Sequence, residues 1–218
     1  MSFGGFPERA LDFYDGLRAD NSKSYWSDNK AVYDAAVKAP MEALLAELAP
    51  EFGTAKFFRP YRDVRFSKDK TPYKDHAAAV VVGAGHDALY VQLSADGLYV
   101  GGGFWHTQTD QARRLREAIA DERTGAALQA LLDDLTGWDV HGERLVRLPK
   151  PYEPTHPRAD LLHLKSLAVG RTHEPGAWLH NAECGARVAA DWRALQPLNR
   201  WLVQHVGPTR TPARPRGG

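Results

Sequence analysis

The chain has 218 residues, 43% of them hydrophobic, with 28 basic and 27 acidic side chains and a formal net charge of +1. This is the composition of an ordinary soluble globular protein with an ample core, in one large domain or two small ones. No apolar run approaches the roughly 20 residues a membrane span needs. The opening Met-Ser-Phe-Gly-Gly-Phe-Pro has no basic n-region or apolar h-region, and Cys184 is the one cysteine. An internal disulfide and a cysteine-based zinc cage are therefore excluded, and a cytoplasmic protein is expected.

Helical spacing comes first along the chain. Pro7 suits a helix start, and Ala10, Phe13, Tyr14 and Leu17 recur at helical intervals until Asn21-Ser22 breaks the pattern. A second helical stretch is predicted from about Asp28 to Ala49, with Met41, Leu44, Leu45 and Leu48 as its apolar stripe and Pro40 kinking or dividing it.

Strand patterns follow. Lys56 to Phe66 reads as extended, then come His76–Val82, Ala88–Leu93 and Leu98–Val100, the last running into Gly101-Gly-Gly-Phe-Trp105. Connections this short require an antiparallel meander, because parallel crossovers need a dozen or more residues. Helices return with Thr107 and Thr124 as predicted N-caps, the first carrying Ala112, Leu115 and Ile119, the second Leu128, Leu131, Leu132 and Leu135. A hairpin is predicted from Trp138–His141 and Arg144–Leu148, and a loop with four prolines spans Pro149–Pro157. A short helix near Arg158–His163, a strand at Lys165–Val169 and a long helix from about Asn181 to Val206 complete the order. The expected fold is α+β: a mainly antiparallel sheet with helices packed on it. It forms a single domain over residues 1–207, with a disordered basic tail over 208–218.

Charge is most concentrated between Arg59 and Lys74, where six cations (Arg59, Arg62, Arg65, Lys68, Lys70, Lys74) meet two anions (Asp63, Asp69). In a strand, side chains alternate between faces, so Arg59, Tyr61, Asp63 and Arg65 would form a row with about 7 Å between neighbours. Asp63 between arginines should stay ionised and accept bidentate hydrogen bonds. Such a row suits a phosphate or carboxylate, with forked arginines joined by the mobile point charges of Lys68 and Lys70. An internal ion network that fixes strand register is an equally natural use of the same residues. Asp63, Tyr73 and His76 are the candidates for moving a proton, and a packed aromatic and a strand-start histidine are the plainer accounts of the last two.

Other motifs add less. Gly83-Ala-Gly85-His-Asp-Ala88 has dinucleotide-fingerprint spacing but precedes a strand where the mechanism needs a helix N-terminus. Gly102 within its glycine run, and Trp105 after it, could let a ligand approach the backbone ahead of a helix; the alternative is a strand bending over the core. Lys150 and His156 in the proline-rich loop, and Lys165 with Ser166, could complete a site. Nine histidines show neither a His-Glu-x-x-His pattern nor acidic companions, so no metal or other cofactor is implied. Cys184, among small residues on helical sequence, reads as an inert packed thiol. Discounting the cationic segment and tail, the rest of the chain is mildly acidic, which argues against nucleic acid as a partner.

The pattern Arg59-x-x-Arg62-Asp63-x-Arg65-Phe66-x-x-Asp69-Lys70-x-x-Tyr73 resembles the defining motif of a bacterial family called domain of unknown function 2461. Asn21-Ser-Lys-Ser-Tyr-Trp-Ser-Asp-Asn-Lys30, Gly101–Trp105, Pro149-Lys150, His156-Pro157, Lys165-Ser166 and Leu195-x-Pro-Leu-Asn199 are similar to its other landmarks. Ser22 and Tyr25-Trp26 depart from the usual Asn and Trp-Phe. The resemblance implies one domain over nearly the whole chain and brings no activity with it. Three functional expectations follow from the residues: a domain binding a small phosphorylated anion, an enzyme acting on such a ligand, or a module docking an acidic protein or nucleic acid.

Overall fold

A computed structural model describes residues 2–65 and 67–210. The first helix, α1 (Arg9–Ala19), buries Ala10, Phe13, Tyr14 and Leu17, the four positions its spacing selects. Ser22 then accepts a 3.1 Å hydrogen bond from the Tyr25 backbone N–H and so starts α2 (Lys23–Val32), earlier than the sequence pattern suggested. A π-helical segment over Tyr33–Lys38 leads into α3 (Ala39–Phe52). Pro40 lies in the first turn of α3 and has no N–H to offer the preceding turn, so the hydrogen-bond ladder widens just before it. The expected interruption at Pro40 is therefore present, as a change of helical period.

The sheet has six antiparallel strands in the order β1-β2-β3-β4-β6-β5. They are β1 (Lys56–Phe57), β2 (His76–Val82), β3 (Ala88–Ser94), β4 (Gly97–Phe104), β5 (Asp139–His141) and β6 (Leu167–His173). The first four form the predicted meander. Two strand expectations need correction. The extended segment expected to reach Phe66 ends as a strand at Phe57; Pro60 and Pro72 cannot donate to a ladder, and Phe66 itself lies outside the described residues. The second is the hairpin of Trp138–His141 with Arg144–Leu148. β5 pairs instead with β6, Asp139 opposite Gly170 and His141 opposite Ala168. Arginines interrupt both faces of Arg144–Leu148, and Val146 is 97% exposed, whereas Leu167, Ala168 and Val169 are fully buried.

The remaining helices are α4 (Thr109–Ala120), α5 (Glu122–Asp134), α6 (Ala159–Leu162) and α7 (Glu183–His205). Their caps differ from those expected. Gln108 and Gln111 form a reciprocal capping box at α4, and the Asp121 side chain accepts from the Thr124 N–H at α5. Thr107 donates instead to the Lys165 carbonyl. The stripe Val188, Trp192, Leu195, Leu198 and Leu202 on α7 is fully buried.

Two compact units divide the chain. The first runs to Val81 and adds Tyr90–Val100 and Thr172–Trp192; it contains α1 to α3, β1 and the opening part of α7. Its core includes Phe6, Leu17, Val37, Met41, Leu44 and Trp192, with the Trp192 ring 5.2 Å from that of Phe52. The second comprises Val82–Leu89, Gly101–Arg171 and the chain from Arg193, and holds α4 to α6. Residues 208–210, expected to open the tail, are fastened: the Thr209 hydroxyl and the Arg210 N–H donate to Asp110, and Arg114 donates to the Pro208 carbonyl. The rest of the predicted tail, 211–218, lies outside the described residues.

Candidate anion site

Beyond β1 the backbone stays paired with the segment leading into β2, but in a shifted register. Phe57 faces Ala79, and Tyr61 faces Tyr73. Three residues (58–60) on one side therefore oppose five (74–78) on the other. The two extra residues form a bulge, a device common beside functional sites because it re-aims side chains. Hydrogen bonds from Phe58 N to Ala78 O (2.9 Å), Lys74 N to Pro60 O (2.8 Å) and Arg62 N to Pro72 O (2.9 Å) fix the arrangement.

Aromatic rings and one carboxamide anchor this segment to the helices. The Trp26 ring stacks on Tyr73 with centroids 4.4 Å apart and planes 7° from parallel. Tyr61 lies 6.0 Å from Trp26 and 5.5 Å from Tyr73. Asn21 closes the clamp: its Nδ2 donates to Tyr73 O at 3.1 Å while its Oδ1 accepts from Tyr73 N at 3.0 Å. The early Asn21–Trp26 stretch and the cationic segment thus form one structural unit. Sequence spacing gave no sign of this contact; the only pointer was that both stretches resemble landmarks of one family.

The charges do not form the expected uninterrupted row. Arg65 turns back on Asp63, donating at 2.9 and 2.6 Å to its two oxygens. The Asp63 carboxyl is held down to about 2 by that hydrogen-bonded pair, with a smaller contribution from Arg59. Arg62 donates to Asp69 and to the Thr71 hydroxyl. Asp69 accepts from the Thr71 N–H and hydroxyl, bonds that with Arg62 hold its carboxyl below the usual range. Lys70 Nζ reaches the Val64 carbonyl at 2.9 Å. Both acids of the segment are therefore engaged by Arg62 and Arg65, and among the described residues Arg59, Lys68 and Lys74 have no ion pair.

The proton-transfer candidates sit close by. Asp63 is pushed away from neutrality, and so is Tyr73, whose phenol burial and the neighbouring Tyr61 push up. His76 Nδ1 lies 2.8 Å from Asp75 Oδ1. Burial opposes the charge on Asp75, but His76 and Arg62 keep its carboxyl below the ordinary value.

The other candidates belong to the second unit, where all but Lys150 have structural partners or packing. Gly102 and Gly103 lie inside β4, where a Cβ on Gly102 would come 2.9 Å from Ala88 O and one on Gly103 would come 2.6 Å from Leu167 O. Close strand packing accounts for these two glycines, the alternative the glycine run left open. The Trp105 ring lies near-parallel to His141 at 5.9 Å. Lys165 Nζ pairs with Glu143 at 3.2 Å, and Glu143 also meets His106 at 3.4 Å. Ser166 Oγ accepts the Glu143 N–H. Lys150 is exposed on its loop. His156 Nδ1 accepts from Arg158 N, and Arg158 donates to the carbonyls of Ile119 and Asp121, closing the C-terminal end of α4. Cys184 is buried, and burial pushes its thiol up to about 12.

The family described as Conserved hypothetical protein (DUF2461) matches residues 9–201. The chain belongs to that family. No curated protein and no solved structure matches it. Among the described residues, no helix is long and apolar enough to cross a membrane.

Proposed function

We propose that this is a cytoplasmic domain that binds a small phosphorylated anion through the cationic segment between Arg59 and Lys74. One observation carries the reading: the segment's own acids are paired with Arg62 and Arg65, leaving Arg59, Lys68, Lys70 and Lys74 without an ion pair among the described residues. Cations concentrated in one short segment repel one another, and a bound anion removes the penalty. The ring stack and the Asn21 clamp fix the backbone that presents them, which lowers the ordering cost of binding. A second reading, an ion network with no ligand, draws support from the Arg62–Asp69 and Arg65–Asp63 pairs.

A thermal-shift panel of phosphate-bearing metabolites separates the two. A ligand of Kd about 10 μM at about 1 mM stabilises the folded state by about 2.7 kcal/mol and raises Tm accordingly. A panel that leaves Tm unmoved means the pairs are structural and the anion site does not exist.

A further inference from the structure

Within the reading above, and resting on it, the geometry points to a specific phosphate subsite outside the Arg62 and Arg65 pairs: Lys56 and Lys74 at the Phe58 ring, with the adjacent Arg59, binding a phosphomonoester or pyrophosphate group.

Lys56 lies in β1, the outermost strand of the sheet. Its Nζ stands 5.7 Å from the centroid of the Phe58 ring, and Lys74 Nζ stands 5.1 Å from the same centroid. Lys74 arrives there because the bulge inserts two residues opposite 58–60, bringing its N–H to the Pro60 carbonyl. Arg59 follows Phe58 directly and is exposed. Among the described residues none of these three cations has an ion pair.

A lysine on an edge strand is by itself a common guard against strand pairing, and that accounts for Lys56 alone. It does not account for Lys74, whose ammonium is pushed below its usual range by burial and by the nearby Arg59. The Phe58 ring offsets part of the cost through its negative face, but one ring shared by two ammonium groups leaves the excess charge in place. Three positive charges at an open sheet edge match a dianion better than a monocarboxylate. Arg65, already bidentate with Asp63, has little left to offer it.

Binding of inorganic phosphate and of pyrophosphate to the whole protein, at constant ionic strength with chloride as the control, tests this by calorimetry and Tm. The expected result is that Lys74→Met and Lys56→Gln each weaken pyrophosphate binding at least tenfold. The Tm of each unliganded variant should stay at or above that of the wild type, and Arg65→Ala should bind within about threefold of wild type. If pyrophosphate binds the wild type and Arg65→Ala abolishes it while Lys74→Met does not, this subsite is wrong and the broader anion reading stands. A lower unliganded Tm in Lys74→Met with undiminished affinity overturns it too, by showing that the lysines merely pack on Phe58. If neither phosphate nor pyrophosphate binds the wild type, the subsite and the anion reading fall together.

Discussion

Asn21 carries no charge, yet it anchors the cationic segment near its end. Its carboxamide satisfies both the N–H and the C=O of Tyr73, a buried residue in irregular backbone. Such groups are costly to leave unpaired. Asn21→Ala strips both partners at once and should cost about 1–3 kcal/mol of stability, read from urea denaturation midpoints. A change indistinguishable from zero would mean that solvent replaces the clamp. Neighbouring residues divide the labour differently. Asp63 and Asp69 are held ionised by Arg65, Arg62 and Thr71, so Arg62 and Arg65 mainly shape the turn. The charges left over are those of Arg59 and the lysines.

Among the elements, β4 shows most clearly how a motif that looks functional can serve packing. Gly103 has a φ of +119°, a conformation that side-chain-bearing residues rarely adopt, and a Cβ there would meet the Leu167 carbonyl of β6 at 2.6 Å. Gly103→Ala should lose about 1–3 kcal/mol from backbone conformation alone, with the clash added, and a Tm within error of wild type would refute that account. The same strand shows the reach of local patterning and its failure. Apolar runs bounded by turns located β2, β3 and the start of β4, β3 with alternate residues buried and β2 and β4 with consecutive residues buried. Such patterning overextended β1, since it registers neither the missing N–H of Pro60 nor the two-residue slip opposite it. It also paired Arg144–Leu148 with β5, where the buried apolar run of β6 won.

At the scale of the whole molecule, the single thiol is a reporter. Cys184 is fully buried in the first unit, and its thiol is pushed to about 12 by burial. A thiolate-dependent reagent should therefore leave the native protein unmodified at neutral pH and label it fully in concentrated guanidinium chloride. Rapid labelling of the native protein would show that this part of the first unit opens readily. The division into two units could not be read from composition, because no linker marks it. The chain passes between them inside strands and inside α7, where apolar patterning is continuous.

By itself, then, the sequence determined the α+β class, the helical stripes, the meander and the local excess of positive charge. Each of these depends on residues a few positions apart, whose spacing alone fixes a shared face or a local field. Only tertiary structure decided which acid meets which cation, that Asn21 grips a residue 52 positions away, and that Lys56 and Lys74 share the Phe58 ring. Those pairings depend on where loops and a bulge bring distant segments together, and local periodicity carries no information about that.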